Sequence, residues 1–557
     1  MKLRSAGSAL LIIVLLVFFA VFLVLPVYTV AKDGLNPSLL AEIFNNFLYR
    51  EGLINSLGIA LVTTFLVTLI ALPPALLYDR FEFPGKNWSH LAIMAPMILP
   101  PFVGALGFQQ ILGYYGVLNG LLVSLGMERI DFLGGEGKFY AVCIMEALHL
   151  YPILYLNLVT ALGNIDPAMN EAAANLGAGR WYRFRKVTLP LLKPGLLAGG
   201  SIVLVWSFTE LGTPLMFGYT RTTPVQIFNG ITELESNPMP YALVAVMLIF
   251  SAGLYAVSRM ALDGGASAAQ TKGVAGSAAS PLYGWKKWLP TGVFALLTGV
   301  AVLPHIALIF AAFSKSWYQT ILPQNATLLH FENALSHKVV VPSIINSLQY
   351  SILAMFFAMA AGLAISIVTT RWRCKGSRLI DLASMLPLAV PGIVIAFGYL
   401  GMTVHYRWAR LIFDPINNPV WLLAAAYAIR RLPYVVRAVT AGLEQTPVDL
   451  ENAARNLGAG VWRTMRKVTL PLIAANMIVG GLFAFSFSMM EVSDSLILAQ
   501  KAEFYPITKA IFELSQILGA GPRIACAFGV WAMLFLAATL ASAGLILGRK
   551  IGAVFKF

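Results

Sequence analysis

A few charged residues stand inside otherwise apolar stretches of this sequence, and they are the first candidates for chemistry. Glu210 lies in LVWSFTELGTPLMFG and Glu491 in AFSFSMMEVSDSLIL. Ionisable side chains in apolar surroundings are costly and usually face a cavity or a partner. The two glutamates therefore either line a pathway for a polar solute or pair with a basic residue, and the sequence leaves both interpretations open.

Further candidates lie close to these glutamates or in a matching apolar run. Asp494 follows Glu491 by one helical turn, and AIRRLPYVVRAVT places Arg430 in an apolar run. The equivalent stretch, MEALHLYPILYLNLVT, offers Glu146 and His149 instead. Arg430 could attract an anionic solute, but pairing with Glu146 or Glu491 needs no substrate and is the simpler interpretation. His149 is read as a hydrogen-bonded packing residue.

Several chemistries have no supporting pattern. Cys143 and Cys526 fall in apolar runs and Cys374 in a basic loop, without the spacing of a zinc or redox site. No G-x-x-x-x-G-K-[ST] motif is present to hold ATP phosphates. The net charge of +14 lies in short loops and forms no basic domain for nucleic acid. We therefore expect no catalytic residues, no bound metal or cofactor and no nucleic-acid partner.

The elements that hold these residues are membrane helices. The chain is 58% hydrophobic and only 11% charged, outside the range of soluble domains. Apolar runs long enough to cross a bilayer recur without the alternation of a barrel, which predicts an all-α membrane protein of about twelve spans. The runs lie near 8–30, 53–77, 91–112, 139–162, 195–217, 239–259, 289–312, 343–368, 379–402, 419–443, 476–499 and 524–547. The first run is too long for a signal peptide and is read as a retained helix.

The runs divide into two halves of six. Residues 1–262 and 289–557 form the halves, and the Gly/Ala/Ser-rich segment 263–288 is read as a flexible cytoplasmic linker. Matching stretches recur, such as Asn55-Ser56-Leu57 with Asn346-Ser347-Leu348. Six crossings per half make the repeats parallel. Because most Lys and Arg then fall on one side, both termini are expected in the cytoplasm, in a multi-pass membrane protein.

The strongest repeat lies in two basic loops, at about 163–194 and 444–475. NLGAGRWYRFRKVTLPL from Asn175 returns as NLGAGVWRTMRKVTLPL from Asn456, with roughly 13 of the 17 positions identical. Before each copy, Asp166-Pro167 and Thr446-Pro447 are typical of a helix start, and Gly177 and Gly458 of a left-handed helix end. This predicts two short helices of about ten residues.

A second short helix is expected after each glycine, before Leu189-Pro190 and Leu470-Pro471 restart the chain into the membrane. Such a segment can lie flat among lipid headgroups or dock into a partner, because small alanines allow close approach. Duplication favours docking, since a two-fold partner needs two matched contacts.

These residues resemble the EAA signature found in the membrane permease subunits of ATP-binding-cassette importers. The first copy supplies Glu171, Ala172, Ala173, Gly177, Leu189 and Pro190, and the second supplies Asn452, Ala453, Ala454, Gly458, Leu470 and Pro471, with Glu451 one place before Asn452. The resemblance implies two fused permease halves of the type I importer fold. It also implies that the segment is a coupling helix seated in a cytoplasmic ATPase subunit. If the glutamate contacts the ATPase, the two docking sites should be unequal.

By the same resemblance, two ATPase copies would bind ATP and Mg²⁺, and a separate extracytoplasmic protein would deliver the solute to a bacterial inner membrane. A fused chain with GTPLMFG and RRLPYVVR is similar to ferric-iron permeases, with thiamine and phosphonate permeases as alternatives. The rival class is an ion-coupled secondary transporter with a proton on Glu210 or Glu491. A membrane enzyme is the third possibility, without a supporting cluster.

Overall fold

The computed structural model describes residues 6–233, 237–263, 279–372 and 376–547, and most of them lie in helices. The predicted linker falls largely outside the described residues, as does Cys374. The helices of the first half are α1 (Ala6–Phe19), α2 (Leu25–Gly34), α3 (Pro37–Asn45), α4 (Phe47–Arg80), α5 (Lys86–Ala92), α6 (Ala95–Ile98), α7 (Pro101–Leu112), α8 (Val117–Ser124), α9 (Gly137–Gly163), α10 (Pro167–Asn175), α11 (Arg180–Arg183), α12 (Leu189–Phe208), α13 (Gly212–Met216), α14 (Thr223–Asn229) and α15 (Met239–Asp263).

The second half repeats this order. Its helices are α16 (Trp288–Ala312), α17 (Leu329–Ser336), α18 (Val340–Ile367), α19 (Ser377–Ala389), α20 (Gly392–His405), α21 (Arg407–Ile412), α22 (Val420–Gln445), α23 (Val448–Asn456), α24 (Val461–Thr464), α25 (Leu470–Met489), α26 (Ser493–Leu498), α27 (Ile507–Gln516) and α28 (Gly521–Leu547). Short π-helical turns are at Ala20–Val24, Phe184–Thr188, Val368–Trp372 and Met465–Thr469. Short 3-10 turns are at Gly230–Glu233, Gly284–Lys287 and Ala502–Phe504.

Two strand pairs complete the described fold. β1 (Phe81–Glu82) pairs in parallel with β2 (Ser280–Pro281), and β3 (Ser314–Ser316) pairs antiparallel with β4 (Gln324–Ala326). The end of the predicted flexible linker is thus held against the first half. Thr291 strengthens this attachment by donating a hydrogen bond to the Pro84 carbonyl oxygen at 2.7 Å.

The membrane helices agree with the prediction in number once three departures are recognised. Nine helices of the described part are long and apolar enough to cross a bilayer. The predicted runs 91–112 and 379–402 are instead helix pairs bent by 88° and 102°. The bends lie at Pro100-Pro101 and Pro391-Gly392, where the residue before each proline is extended because proline disfavours a helical neighbour. The run at 419–443 forms the 26-residue helix α22, which contains three arginines and is outside those nine.

The first helix of each half packs against the other half. α2 contacts α20, and α16 contacts α7. Gly398 lies against the backbone of Pro26, and Gly107 lies in the same way against the backbone of Pro304. A Cβ atom at either glycine would overlap a carbonyl oxygen, so only glycine permits this approach. His405 Nε2 also lies 2.7 Å from Asp33 Oδ2 across the first of these contacts.

A candidate translocation cavity and two motif helices

The fifth membrane helix of each half ends earlier than the apolar run predicted from the sequence. α12 stops at Phe208 and α13 begins at Gly212, while α25 stops at Met489 and α26 begins at Ser493. The predicted runs 195–217 and 476–499 are therefore wrong as single helices. We call residues 209–211 and 490–492 the helix breaks. Gly212 approaches Val492 so closely that a Cβ atom would lie 2.9 Å from its Cγ1, so the breaks meet between the halves.

A cavity of about 230 Å³ lies at these breaks and is lined by both halves. The lining includes the candidates Glu146, His149 and Glu210 from the first half and Arg430 and Glu491 from the second, together with Arg431 beside Arg430. Since each half contributes an equivalent helix break, this is where a pathway between parallel repeats is expected.

The charges of the second half form a buried ion-pair network. Glu491 is 5% exposed and accepts hydrogen bonds from Arg430 and Arg431 through its two carboxylate oxygens. Asp494 is fully buried behind them, with its Oδ2 3.5 Å from Arg430 Nη1, and does not line the cavity. Glu491 thus both lines the cavity and pairs with arginine, so its two interpretations do not exclude each other.

The first half has a different arrangement at the equivalent positions. Glu210 Oε1 accepts hydrogen bonds from the backbone N–H groups of Gly212 at 3.1 Å and Thr213 at 3.3 Å. Glu146 is 2% exposed and accepts a hydrogen bond from Ser207. Arg430 pairs with Glu491 and not with Glu146. His149 Nδ1 lies 2.8 Å from the Pro96 carbonyl oxygen, as expected for a hydrogen-bonded packing residue. Ser207 carries no sequence signal that would have identified it.

The second site is formed by α10 and α23, which we call the motif helices. Each has nine residues and ends at a left-handed glycine, with φ of 81° at Gly177 and 85° at Gly458. Leu176 is 88% exposed and Leu457 89%, beside the largely exposed Trp181 and Trp462. Matched apolar side chains are therefore exposed just after each motif helix and at the start of the span that follows it.

The expected second short helix is not separate. α11 and the turn Phe184–Thr188 continue directly into α12, so that residues Arg180–Phe208 form one span, and Val461–Met489 do the same. Proline lacks an N–H group and crowds the carbonyl four residues before it, which a π turn can accommodate. Pro190 and Pro471 each follow such a turn within a continuous helix.

The two motif helices also begin differently, which corrects the prediction that Thr446 acts as Asp166 does. The Asp166 side chain accepts a hydrogen bond from Ala168 N at 2.9 Å, as expected for an N-cap. The Thr446 hydroxyl instead donates to the Gly442 carbonyl oxygen at 2.9 Å, and α23 has no side-chain cap. Thr446 is the C-cap residue of α22, and its hydroxyl bonds back to the last turn of that helix.

We expect Asp166→Ala to destabilise α10 by about 1 kcal/mol, the usual cost of removing a capping side chain. Hydrogen–deuterium exchange of the amides in residues 167–175 should rise about fivefold, measured on the full chain. Thr446→Val is the matched control, since it removes a hydroxyl that caps nothing. A comparable rise in residues 448–456 for that control would contradict the assignment of the cap.

The matched Asn-Ser pairs noted in the sequence have a shared structural role. Ser56 Oγ accepts a hydrogen bond from Thr223 N at 3.0 Å, and Ser347 Oγ accepts one from Ile507 N at 2.8 Å. These N–H groups lie at the starts of α14 and α27, which follow the helix breaks. These hydrogen bonds therefore link α14 to α4 and α27 to α18.

Within the described residues, no group of three or more His, Cys, Asp or Glu side chains could hold a metal ion. The cavity itself contains three carboxylates and two guanidinium groups. Of these carboxylates, Glu491 pairs with the two arginines, whereas Glu146 accepts a hydrogen bond from Ser207 and Glu210 accepts hydrogen bonds from backbone N–H groups.

Comparison with known proteins agrees with this architecture. The family of binding-protein-dependent transport system inner membrane components matches residues 75–263 and again residues 362–548. The chain is 27% identical over 519 residues to a protein of Haemophilus influenzae named as a ferric transport system permease, covering 88% of this chain and 77% of that one. It is 26% identical over 513 residues to the ferric transport system permease protein of Actinobacillus pleuropneumoniae, covering 87% and 70%.

A shorter relative matches part of the chain. A protein of Salmonella typhimurium named as a 2-aminoethylphosphonate transport system permease is 28% identical over 214 residues, covering 38% of this chain and 77% of that one. The family domain occupies more than half of the chain and occurs twice. The chain therefore belongs to the binding-protein-dependent inner membrane components, as an ABC importer permease with two copies of their domain.

Proposed function

We propose that this permease passes ferric iron inward through the cavity at the helix breaks. The observation that carries the proposal is that three carboxylates line that cavity while Glu491 already pairs with both of its arginines. Carboxylate oxygens can bind a metal cation, whereas an anion such as a phosphonate would have to compete with Glu491 for the two arginines. The relatives that match most of this chain are named as ferric permeases, which supports the same substrate.

The energy for transport comes from two copies of a cytoplasmic ATPase, which dock on the motif helices. Support for this comes from the duplicated exposed leucines and tryptophans beside α10 and α23. An extracytoplasmic binding protein delivers the iron to the opposite face. With the motif helices in the cytoplasm, both termini lie on the same side, and the protein is a multi-pass component of a bacterial inner membrane.

Uptake by proteoliposomes tests the substrate. The permease is reconstituted with the ATPase and binding protein encoded beside it, and radioactive ferric iron, thiamine and 2-aminoethylphosphonate are offered in turn. We expect ATP-dependent accumulation of iron alone. Accumulation of thiamine or of the phosphonate without iron would overturn the substrate, and uptake driven by a proton gradient without ATP would favour the secondary transporter.

Gly177→Arg and Gly458→Arg are expected to lower uptake at least tenfold and to weaken retention of the ATPase on the tagged chain. The backbone at both sites has a positive φ that L residues adopt at a cost of about 1–2 kcal/mol, and a long cationic side chain would stand on the docking surface. Gly163→Arg, at an exposed position with nothing within 4 Å of a Cβ atom, is the control. Intact uptake with both motif variants would refute docking at these helices.

A further inference from the structure

A buried ion pair ties the second motif helix to a membrane helix. Arg371, in the π turn at the end of α18, donates from Nε to Glu451 Oε1 at 3.0 Å and from Nη2 to the Thr446 carbonyl oxygen at 3.0 Å. The two side chains are only 12% and 7% exposed. One guanidinium group thus holds both the residue that leads into α23 and a residue of its first turn.

Among the described residues, the first motif helix lacks an equivalent ion pair, and Arg183 at the start of the following span instead donates one hydrogen bond from Nη1 to the Asn170 carbonyl oxygen at 3.4 Å. Alignment of Asn55 with Asn346 places Arg80 at the position of Arg371, but Asn170 stands where the second copy has Glu451. Arg80 Nη2 instead lies 3.3 Å from Thr188 Oγ1, a hydroxyl of the following span and not of α10. Among the ion pairs of the described residues, none reaches α10.

The two helices are therefore stabilised in different ways. The Asp166 cap satisfies an N–H group within α10, but a local cap does not fix the direction of a helix relative to the membrane. A planar guanidinium group with two partners does fix direction, because its donors have a rigid geometry. Glu451 also explains the departure from the sequence motif, since its carboxylate points into the protein and leaves the exposed Asn452 at the position of Glu171.

We propose that the Arg371–Glu451 pair makes the second motif helix a rigid extension of α18, whereas the first motif helix moves more freely on its half. This rests on the proposed function, in which both helices receive an ATPase. Glu451 is then a positioning residue that does not itself bind the ATPase. Movement of the second ATPase passes directly into the membrane helices, and the two docking sites are mechanically unequal.

Hydrogen–deuterium exchange on the purified full chain, without ATPase, tests the tie itself. We expect Glu451→Gln to raise exchange in residues 448–456 about tenfold and to leave residues 167–175 unchanged. Asn170→Glu, which supplies the missing carboxylate opposite Arg80, should lower exchange in residues 167–175. Glu444→Gln is the matched control, since it removes an exposed carboxylate near α23 for which the structure shows no ion pair. Unchanged exchange in Glu451→Gln would overturn the proposal whatever binds to the helix.

The importer reconstituted with its ATPase and binding protein tests the consequence. Glu451→Gln should reduce the iron transported per ATP hydrolysed about threefold while ATPase binding persists, and exchanging the charges in Arg371→Glu with Glu451→Arg should restore part of the loss. Faster hydrogen–deuterium exchange in residues 448–456 of Glu451→Gln, together with unchanged iron transport per ATP hydrolysed, would also overturn the proposal. If the wild-type chain binds no ATPase, the proposed function fails instead, and the exchange experiment still decides whether the tie exists.

Discussion

Glu491→Ala is expected to lower the stability of the protein by about 3 kcal/mol, because it leaves two guanidinium groups without their carboxylate in a largely buried site. A buried charge that loses its partner retains its desolvation cost, which is why removing one member of such a network is more damaging than removing the whole network. The measurement is the thermal unfolding midpoint of the purified protein in detergent, together with its yield in membranes.

The repeat supplies the control for this prediction. Glu210→Ala alters the equivalent position, where the carboxylate accepts only two backbone hydrogen bonds, so the loss should be about 1 kcal/mol. The triple variant Glu491→Leu, Arg430→Met and Arg431→Met should recover much of the stability while abolishing uptake. Equal losses for the two single glutamate variants would show that the ion-pair network does not contribute as the geometry indicates.

Gly398→Leu is expected to lower the free energy of unfolding by about 3 kcal/mol or more. A side chain at this position must displace the backbone of Pro26, which cannot move aside as a flexible side chain would. Gly107→Leu should act similarly against Pro304. Both glycines lie where the first helix of one half crosses the other half, so the damage should be to the contact between halves. The measurement is the unfolding midpoint, followed by limited proteolysis in the linker to detect separated halves.

Gly292→Leu and Gly299→Leu provide the comparison, since they lie within the same helix as Pro304 but have nothing within 4 Å of a Cβ atom. The free energy of unfolding of these two variants should change by less than about 1 kcal/mol. A slight increase is expected because leucine is a better helix former than glycine. Similar losses at all four glycines would attribute the effect to the helices themselves and not to the crossing.

Much of the architecture could be predicted because its causes are local. The apolar runs required membrane helices, and the Asp166 cap and the glycines at positions 177 and 458 follow from backbone geometry that neighbouring residues determine. The charged residues of the cavity were found because a carboxylate in an apolar run is conspicuous. The family domain, present twice, confirms the membership that the motif indicated.

Other features could not be predicted because their causes act across the fold. Neither helix break contains glycine or proline, yet α12 and α25 end at equivalent positions. Thr446 resembles a helix N-cap in sequence, but its hydroxyl donates to the Gly442 carbonyl oxygen of the preceding helix. That helix continues beyond the predicted run, which ends at residue 443. Arg371 has no distinguishing sequence signal, because arginine is common at the ends of membrane helices.

The sequence by itself determined that the chain is a duplicated membrane protein with two copies of one basic motif, since hydropathy, repeats and helix signals are properties of neighbouring residues. Only the tertiary structure decided which charges meet. Glu491 faces two arginines while Glu210 faces backbone N–H groups, and Glu451 binds Arg371 while Glu171 remains exposed. Which of these side chains meet depends on distances between helices far apart in the chain.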